Sequence, residues 1–229
     1  MGGALATTLG SLLYPAMLGV QKVNSAPERL IATPATGPLT EADRDFVVKV
    51  RSAGLWEYAV GHMALRKGTT KAVKIAGEHL IDGDASLDAA CRKAAAQLGI
   101  TLPNQSSPQQ QSFVSQLNAE NGKQFDTDMA TIERAANGQI LATIASVRTT
   151  TKNSLVRALA NQANNTVLDH ITVMEKTGLV DFDQVLAQET TPPKLPAQDL
   201  TPPPPVPGQP QVVLTPSANS TVSPSPSVG

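Results

Sequence analysis

Between Thr40 and Phe182 the apolar positions recur at alternating steps of three and four, in four long stretches. The first face holds Val47, Val50, Gly54, Glu57, Gly61 and Ala64, and the second Val73, Gly77, Leu80, Asp84, Leu87, Cys91, Ala94 and Leu98. The third carries Phe125, Met129, Ile132, Ala136, Ile140, Ile144 and Val147, and the fourth Val156, Leu159, Ala163, Val167, His170, Val173 and Thr177. This period places each set on one side of an α-helix. Thr40 followed by Asp43 has the form of an N-terminal capping signal, with Asp where Glu or Gln is usual. Gly68-Thr69-Thr70 ends the first helix, Gly99 with Pro103 ends the second, and Gly178 supplies the last cap. A shorter helix is expected from Pro108 to Asn121, where Gly122 breaks it. No proline lies between Pro108 and Pro192, an interval natural for helices. Strand signals are absent. The pattern predicts an all-α, up-and-down four-helix bundle over residues 40–182. Small residues on the inner faces imply close helix approach.

Both flanks read differently. Ala4 to Val20 is an uncharged run of small and aliphatic residues interrupted by Pro15. Seventeen helical residues reach roughly 26 Å, short of a ~30 Å hydrocarbon core. Residues 1–25 therefore read as a signal peptide or a weak membrane anchor, with Val23-Asn24-Ser25 as the cleavage pattern. Residues 26–39, with three prolines, read as a linker. Twelve of the eighteen prolines follow Gln188, so residues 183–229 read as a disordered Pro/Ser/Thr-rich tail. That organisation implies an extracytoplasmic location, secreted or anchored, with membrane or cell-wall association through the two ends.

Composition narrows the chemistry. The chain is 3% aromatic and has a net charge of −1, and residues 40–182 carry fifteen acids and fifteen bases. With no basic surplus or Lys/Arg-dense stretch, a nucleic-acid partner is not expected. The single cysteine, Cys91, excludes an internal disulfide and a multi-cysteine zinc site. It reads as a small core residue, and no nucleophile–base arrangement is evident.

Three ionisable residues lie on the apolar stripes themselves: Glu57, Asp84 and His170. A bundle core accepts such groups when they are paired, hydrogen-bonded, neutralised or bound to a metal. Asn137, four residues after Glu133, sits at the corresponding edge of the third stripe. Carboxylates and an imidazole converging between helices can hold iron, manganese or zinc. Against a metal, no Glu-x-x-His pair occurs, and His62 lies about 140° around the helix from Glu57. The alternative is a buried hydrogen-bond network of Glu57, Asp84, Asn137 and His170 that fixes helix register. Trp56 and Tyr58 flank Glu57 and read as packing or as the cover of a pocket.

The stretches Leu55-Trp56-Glu57 through Gly61-His62-Met63-Ala64, Leu80-Ile81-Asp82-Gly83-Asp84 with Leu87-Asp88, and Leu98-Gly99-Ile100-Thr101-Leu102-Pro103 carry a family resemblance. Phe125-Asp126, Ala135-Ala136-Asn137-Gly138, Val147-Arg148 and His170 through Thr177-Gly178-Leu179-Val180-Asp181 extend it over about 140 residues. In order and spacing the chain resembles the exported bacterial domain of unknown function 4142, a ferritin-like four-helix group, in its actinobacterial form. The resemblance implies export and fold, and no known activity. It also implies that Glu57 and His170 match the family's inward polar set, whereas histidines usually stand at the positions of Asp84 and Asn137. Of those two, Asp84 is a plausible harder ligand and Asn137 a poor one.

Two functions follow as expectations. The first is a non-enzymatic, exported helical module of the envelope or the medium, with an unknown ligand. The second is a ferritin-like metal-binding or redox protein with a remodelled site at Glu57, Asp84 and His170.

Overall fold

The computed structural model describes residues 29–191 and 194–218. In chain order these form β1 (Leu30–Ala32), β2 (Leu39–Thr40), α1 (Glu41–Lys67), α2 (Lys71–Leu98), α3 (Pro108–Ala119), α4 (Gly122–Thr150), α5 (Ser154–Lys176), α6 (Phe182–Thr190) and α7 (Ala197–Leu200). The apolar segment 1–25 lies outside the described residues, as do 26–28 and 219–229. Among the described residues no helix is long and apolar enough to cross a membrane.

The helix ends follow from their capping residues. Thr40 Oγ1 accepts from the Asp43 amide at 3.1 Å while the Asp43 carboxylate accepts from the Thr40 amide at 3.0 Å, so the shorter acid completes the reciprocal cap. Gly99, at φ +66°, takes the left-handed turn that closes α2. Gly122 differs from expectation: it opens α4 instead of only ending α3, whose last residue is Ala119.

The four long helices form the expected bundle, and their directions refine its topology. Lys67, at the end of α1, donates to the carbonyls of Leu117, Asn118 and Glu120 and stands 4.7 Å from the Phe125 ring near the start of α4. Phe46 and Val47, near the start of α1, share a core cluster with Ile144 and Val147 near the end of α4. Helices α1 and α4 are therefore antiparallel, which makes α2 and α4 parallel. The segment 99–121, with α3, is the crossover that returns the chain along α1 between them. One long crossover in a four-helix bundle is the ferritin-like connectivity.

Two apolar clusters fill the bundle. One is built around Phe46, Val50, Leu87, Leu98, Ile144 and Leu159, the other around Trp56, Leu80, Phe125, Met129, Val173 and Met174. Each long helix contributes to both, and the inward polar residues lie between them: Glu57, Asp84, Glu133 with Asn137, and His170. The fold thus places one polar layer at mid-height. Nearer the α1–α2 turn, Gly61 and Gly77 allow the two helices to touch, since a Cβ on Gly61 would stand 2.8 Å from the Gly77 carbonyl oxygen.

Two flanking expectations change where the structure describes them. In place of a linker, residues 30–40 form a short antiparallel hairpin with Leu30 opposite Thr40. Leu39 is buried, and Thr36 O accepts from the Ser154 amide at 2.8 Å, which docks the hairpin on the α4–α5 turn. The tail is not featureless either. Val185 of α6 is buried, and residues 210–217 lie extended against α1 and α2 with Leu214 buried. Proline-rich composition makes such a segment unable to form its own core, but here side chains of the bundle satisfy its main chain.

Candidate functional site

Each wall of the polar layer comes from a different helix. Glu57 projects from α1, Asp84 from α2, Glu133 and Asn137 from α4, and His170 from α5, and all five are at most 3% exposed. His170 Nδ1 lies 3.1 Å from Glu57 Oε2. Asn137 Nδ2 donates to the Glu133 carbonyl oxygen at 3.0 Å and approaches Glu57 Oε2 at 3.4 Å and Glu133 Oε2 at 3.5 Å. One ligand atom from each of Glu57, Asp84 and His170 lies within 4.8 Å of the others. A cavity of about 10 Å³ adjoins them, lined also by Gly54 and Thr166. That is about the size of one water.

Glycines make the approach possible. A Cβ on Gly54 would stand 3.4 Å from Asp84 Oδ1, and one on Gly83 would stand 2.6 Å from His170 Nε2. Gly83 therefore leaves the space that the imidazole occupies on α2.

The electrostatics are those of a site short of positive charge. Three carboxyl groups are buried together, and among the described residues no lysine or arginine forms an ion pair with any of them. Burial, reinforced by Glu57 and Asp88, pushes the Asp84 carboxyl well above the usual range. Burial, with Glu57 and Asp84, does the same to Glu133. Four of the six buried side-chain polar atoms lacking a hydrogen-bond partner among the described residues are here: Asp84 Oδ2, Glu133 Oε1, Asn137 Oδ1 and His170 Nε2.

The donor set suits a cation on several counts. Two or three carboxylate oxygens and one imidazole are the ligands that iron and manganese accept, and zinc accepts them too. Ligand atoms around one such ion, with bonds of about 2.1 Å, stand about 3 to 4 Å apart. Drawing in the 4.8 Å span asks for a contraction of about 1 Å, within the reach of side-chain rotation.

The structure brings together Glu57, Asp84, Asn137 and His170, and adds Glu133, which lies beside the apolar stripe and not on it. The signal was present in the sequence: Phe125, Met129, Glu133 and Asn137 follow at steps of four, whereas Ala136 and Ile140, on the stripe as drawn, are only half-buried. Other candidates fall elsewhere. Trp56 is buried, its ring centroid 5.6 Å from that of Phe113, and Tyr58 binds the C-terminal segment. His79 Nδ1 meets Asp169 Oδ2 at 2.6 Å at the surface. Cys91 donates to the Val47 carbonyl oxygen, and burial pushes its thiol up to about 12.

Comparison with known proteins places this architecture. The sequence profile of a family described as a domain of unknown function (DUF4142) matches residues 29–177, which span the hairpin and all four long helices. No curated protein and no solved structure matches the chain. A match over well more than half of the chain, containing every residue of the polar layer, shows that the chain belongs to the DUF4142 family.

Proposed function

We propose that this protein is a metal-binding helical domain that holds one divalent transition-metal ion between Glu57, Asp84 and His170. Glu133 stands as a further carboxylate, and Asn137 orients Glu57 and Glu133. The observation that carries the reading is the burial of three carboxyl groups together with no Lys or Arg partner. A cation removes that imbalance, and the predominance of oxygen donors favours manganese or iron over zinc. Iron or manganese would supply one-electron redox chemistry when bound, and zinc would not.

The apolar segment at 1–25 and the proline-rich end support an extracytoplasmic setting for the domain, secreted or anchored. No nucleophile supports a hydrolytic role. Cys91 stays a thiol at neutral pH, and among the described residues no serine, threonine or cysteine side chain is hydrogen-bonded to His79, whose bond is to Asp169.

A second reading has its own support in the raised Asp84 and Glu133 carboxyls: a proton-sharing network that fixes helix register without an ion. Metal analysis of the full chain, purified without chelator or metal-affinity tag, separates the two when run beside His170→Ala. About one transition-metal equivalent in the parent and none in the variant is expected. A parent that stays empty after loading with iron, manganese and zinc would leave the proton-sharing network as the function of these residues. Intact mass of the secreted product from a bacterial host reads the export proposal. A chain starting at Ala26 is expected, and retention inside the cell with Met1 intact would overturn it.

A further inference from the structure

The C-terminal segment is held by an unusual set of contacts. Asn104, on the α2–α3 crossover, donates to the Pro210 carbonyl oxygen at 3.1 Å and accepts from the Val212 amide at 3.0 Å. Arg51 Nη2 donates to the Val212 carbonyl oxygen at 2.7 Å, and Asp88 Oδ2 accepts from the Leu214 amide at 3.2 Å. Tyr58 donates to the Thr215 carbonyl oxygen at 3.0 Å, and Asp82 Oδ1 accepts from the Ser217 amide at 2.7 Å. Every one of these bonds is to the main chain. The one side chain of the stretch 210–217 that is buried is Leu214, while Val213 is 53% exposed.

Leu214 forms one wall of a cavity of about 10 Å³ whose other walls include Gly54, Asp84, Asp88 and Cys91. Gly54 and Asp84 also line the space that holds Glu57 and His170. Asp84 therefore has the candidate metal position on one side and Leu214 on the other, and the glycine at position 54 puts no side chain between them. Ala53, Ile140, Ala163 and Thr166 line the remaining sides of that space.

We propose that residues 210–217 are a releasable strap that closes the route between solvent and the Asp84 side of the metal site, so that ion uptake and loss require the strap to lift. The proposal rests on the metal-binding reading above. The strap can leave as a unit because the bundle grips it mainly by its backbone, with Leu214 its one buried side chain and the Thr215 hydroxyl 3.3 Å from Tyr58 at the surface. Pro210 starts the grip and Pro216 interrupts it, and neither has an amide hydrogen to donate. Lifting it uncovers the Arg51–Asp88 ion pair to water, where both groups are readily solvated, and opens the path past Gly54.

Two variants of the full chain test this with two readouts. Leu214→Ala removes the plug. Asn104→Ala removes two anchoring bonds at the far end of the strap, away from the carboxyl groups. The readout independent of metal is the rate at which Cys91, the chain's single thiol and a wall of the Leu214 cavity, reacts with iodoacetamide in the folded, metal-free protein. The second readout is the rate at which manganese-loaded protein gives up its ion to excess chelator. Both variants are expected to speed both rates about tenfold, the factor corresponding to ~1.4 kcal/mol, with the bound equivalent unchanged. Faster labelling with unchanged manganese loss would overturn the gating role, and unchanged labelling in both variants would overturn the strap as the cover. A parent that takes up no manganese, iron or zinc would overturn the metal reading and this gating with it. Cys91 labelling, which needs no ion, tells that failure apart from failure of the strap.

Discussion

A carboxyl group enclosed among others and away from any base keeps its proton to a higher pH than it does in an unfolded chain, and that difference is a stability term. Asp84 faces Glu57 from α1, Glu133 from α4 and His170 from α5, with Asp88 one turn along α2. Its folded-state carboxyl, like that of Glu133, is held well above the ordinary value of about 4. The metal-free fold then binds protons that the unfolded chain releases. Its stability is highest below about pH 4 for this term and falls as pH rises toward the raised values, by up to ~1.4 kcal/mol per pH unit for each such group. The His79–Asp169 pair also titrates. Asp169 raises the His79 value through its hydrogen bond, so that contribution is present below about pH 6.5 and is lost above the raised value. His79 lowers the Asp169 value, a contribution lost only as pH falls through the lowered value. Asp84→Asn leaves that pair intact, so the difference between variant and parent isolates Asp84. Thermal melts of metal-free protein between pH 5 and pH 8 should show the parent losing stability with rising pH and the variant losing less. Parallel profiles would mean that Asp84 is ionised throughout. With manganese bound the trend should reverse, because the ion displaces the protons and binds more tightly as pH rises.

At the scale of elements, the long helices were legible because each buries one face with a period that short-range steric and capping rules fix. The Thr40–Asp43 cap and the Gly99 turn were visible as residue types at set offsets. Glu57, Asp84 and His170 were legible for the same reason, as ionisable groups in phase with an apolar stripe. Glu133 was not, because the apolar stripe of α4 passes from Met129 to Ile132 by a step of three, while the polar pair follows Met129 at steps of four. Ile132, Ile144 and Val147 of that stripe are buried, and Glu133 and Asn137 sit one position past Ile132 and Ala136. Chain direction was also beyond a periodic pattern, which has no sign along the helix axis. What fixes α4 antiparallel to α1 is a set of long-range contacts, Lys67 on the end of α3 and Phe125, that no local window contains. The hairpin at 30–40 escaped for a related reason. Its strands are three and two residues long, and it is held by the Ser154 and Asn153 contacts to Thr36 and Gly37 more than by its own propensity.

For the whole molecule, the decisive question is whether the C-terminal strap belongs to the cooperative fold. Ordering eight residues costs about 8 to 16 kcal/mol of chain entropy. Six hydrogen bonds and one buried leucine contribute about 5 to 12 kcal/mol. The two nearly balance, with Pro210 and Pro216 lowering the cost because their backbones are already restricted. Composition alone therefore pointed to disorder with good reason: the hydrogen bonds that hold residues 210–217 come from Arg51, Tyr58, Asp82, Asp88 and Asn104 of the bundle. A segment balanced in this way should open far more often than the domain unfolds. Hydrogen exchange on the full chain should find the Val212, Leu214 and Ser217 amides protected about 10- to 150-fold, openings of ~1 to 3 kcal/mol. The central amides of α1 and α4, which open only with the whole fold, should be protected by a factor of about a thousand or more. Strap amides as slow as those of the helices would make the segment part of the core and rule out its release as a route to Asp84. Strap amides with no protection would mean that the seat on α1 and α2 is empty most of the time, leaving Asp84 open to solvent. Only the intermediate value gives a site that is closed at rest and still able to exchange its ion.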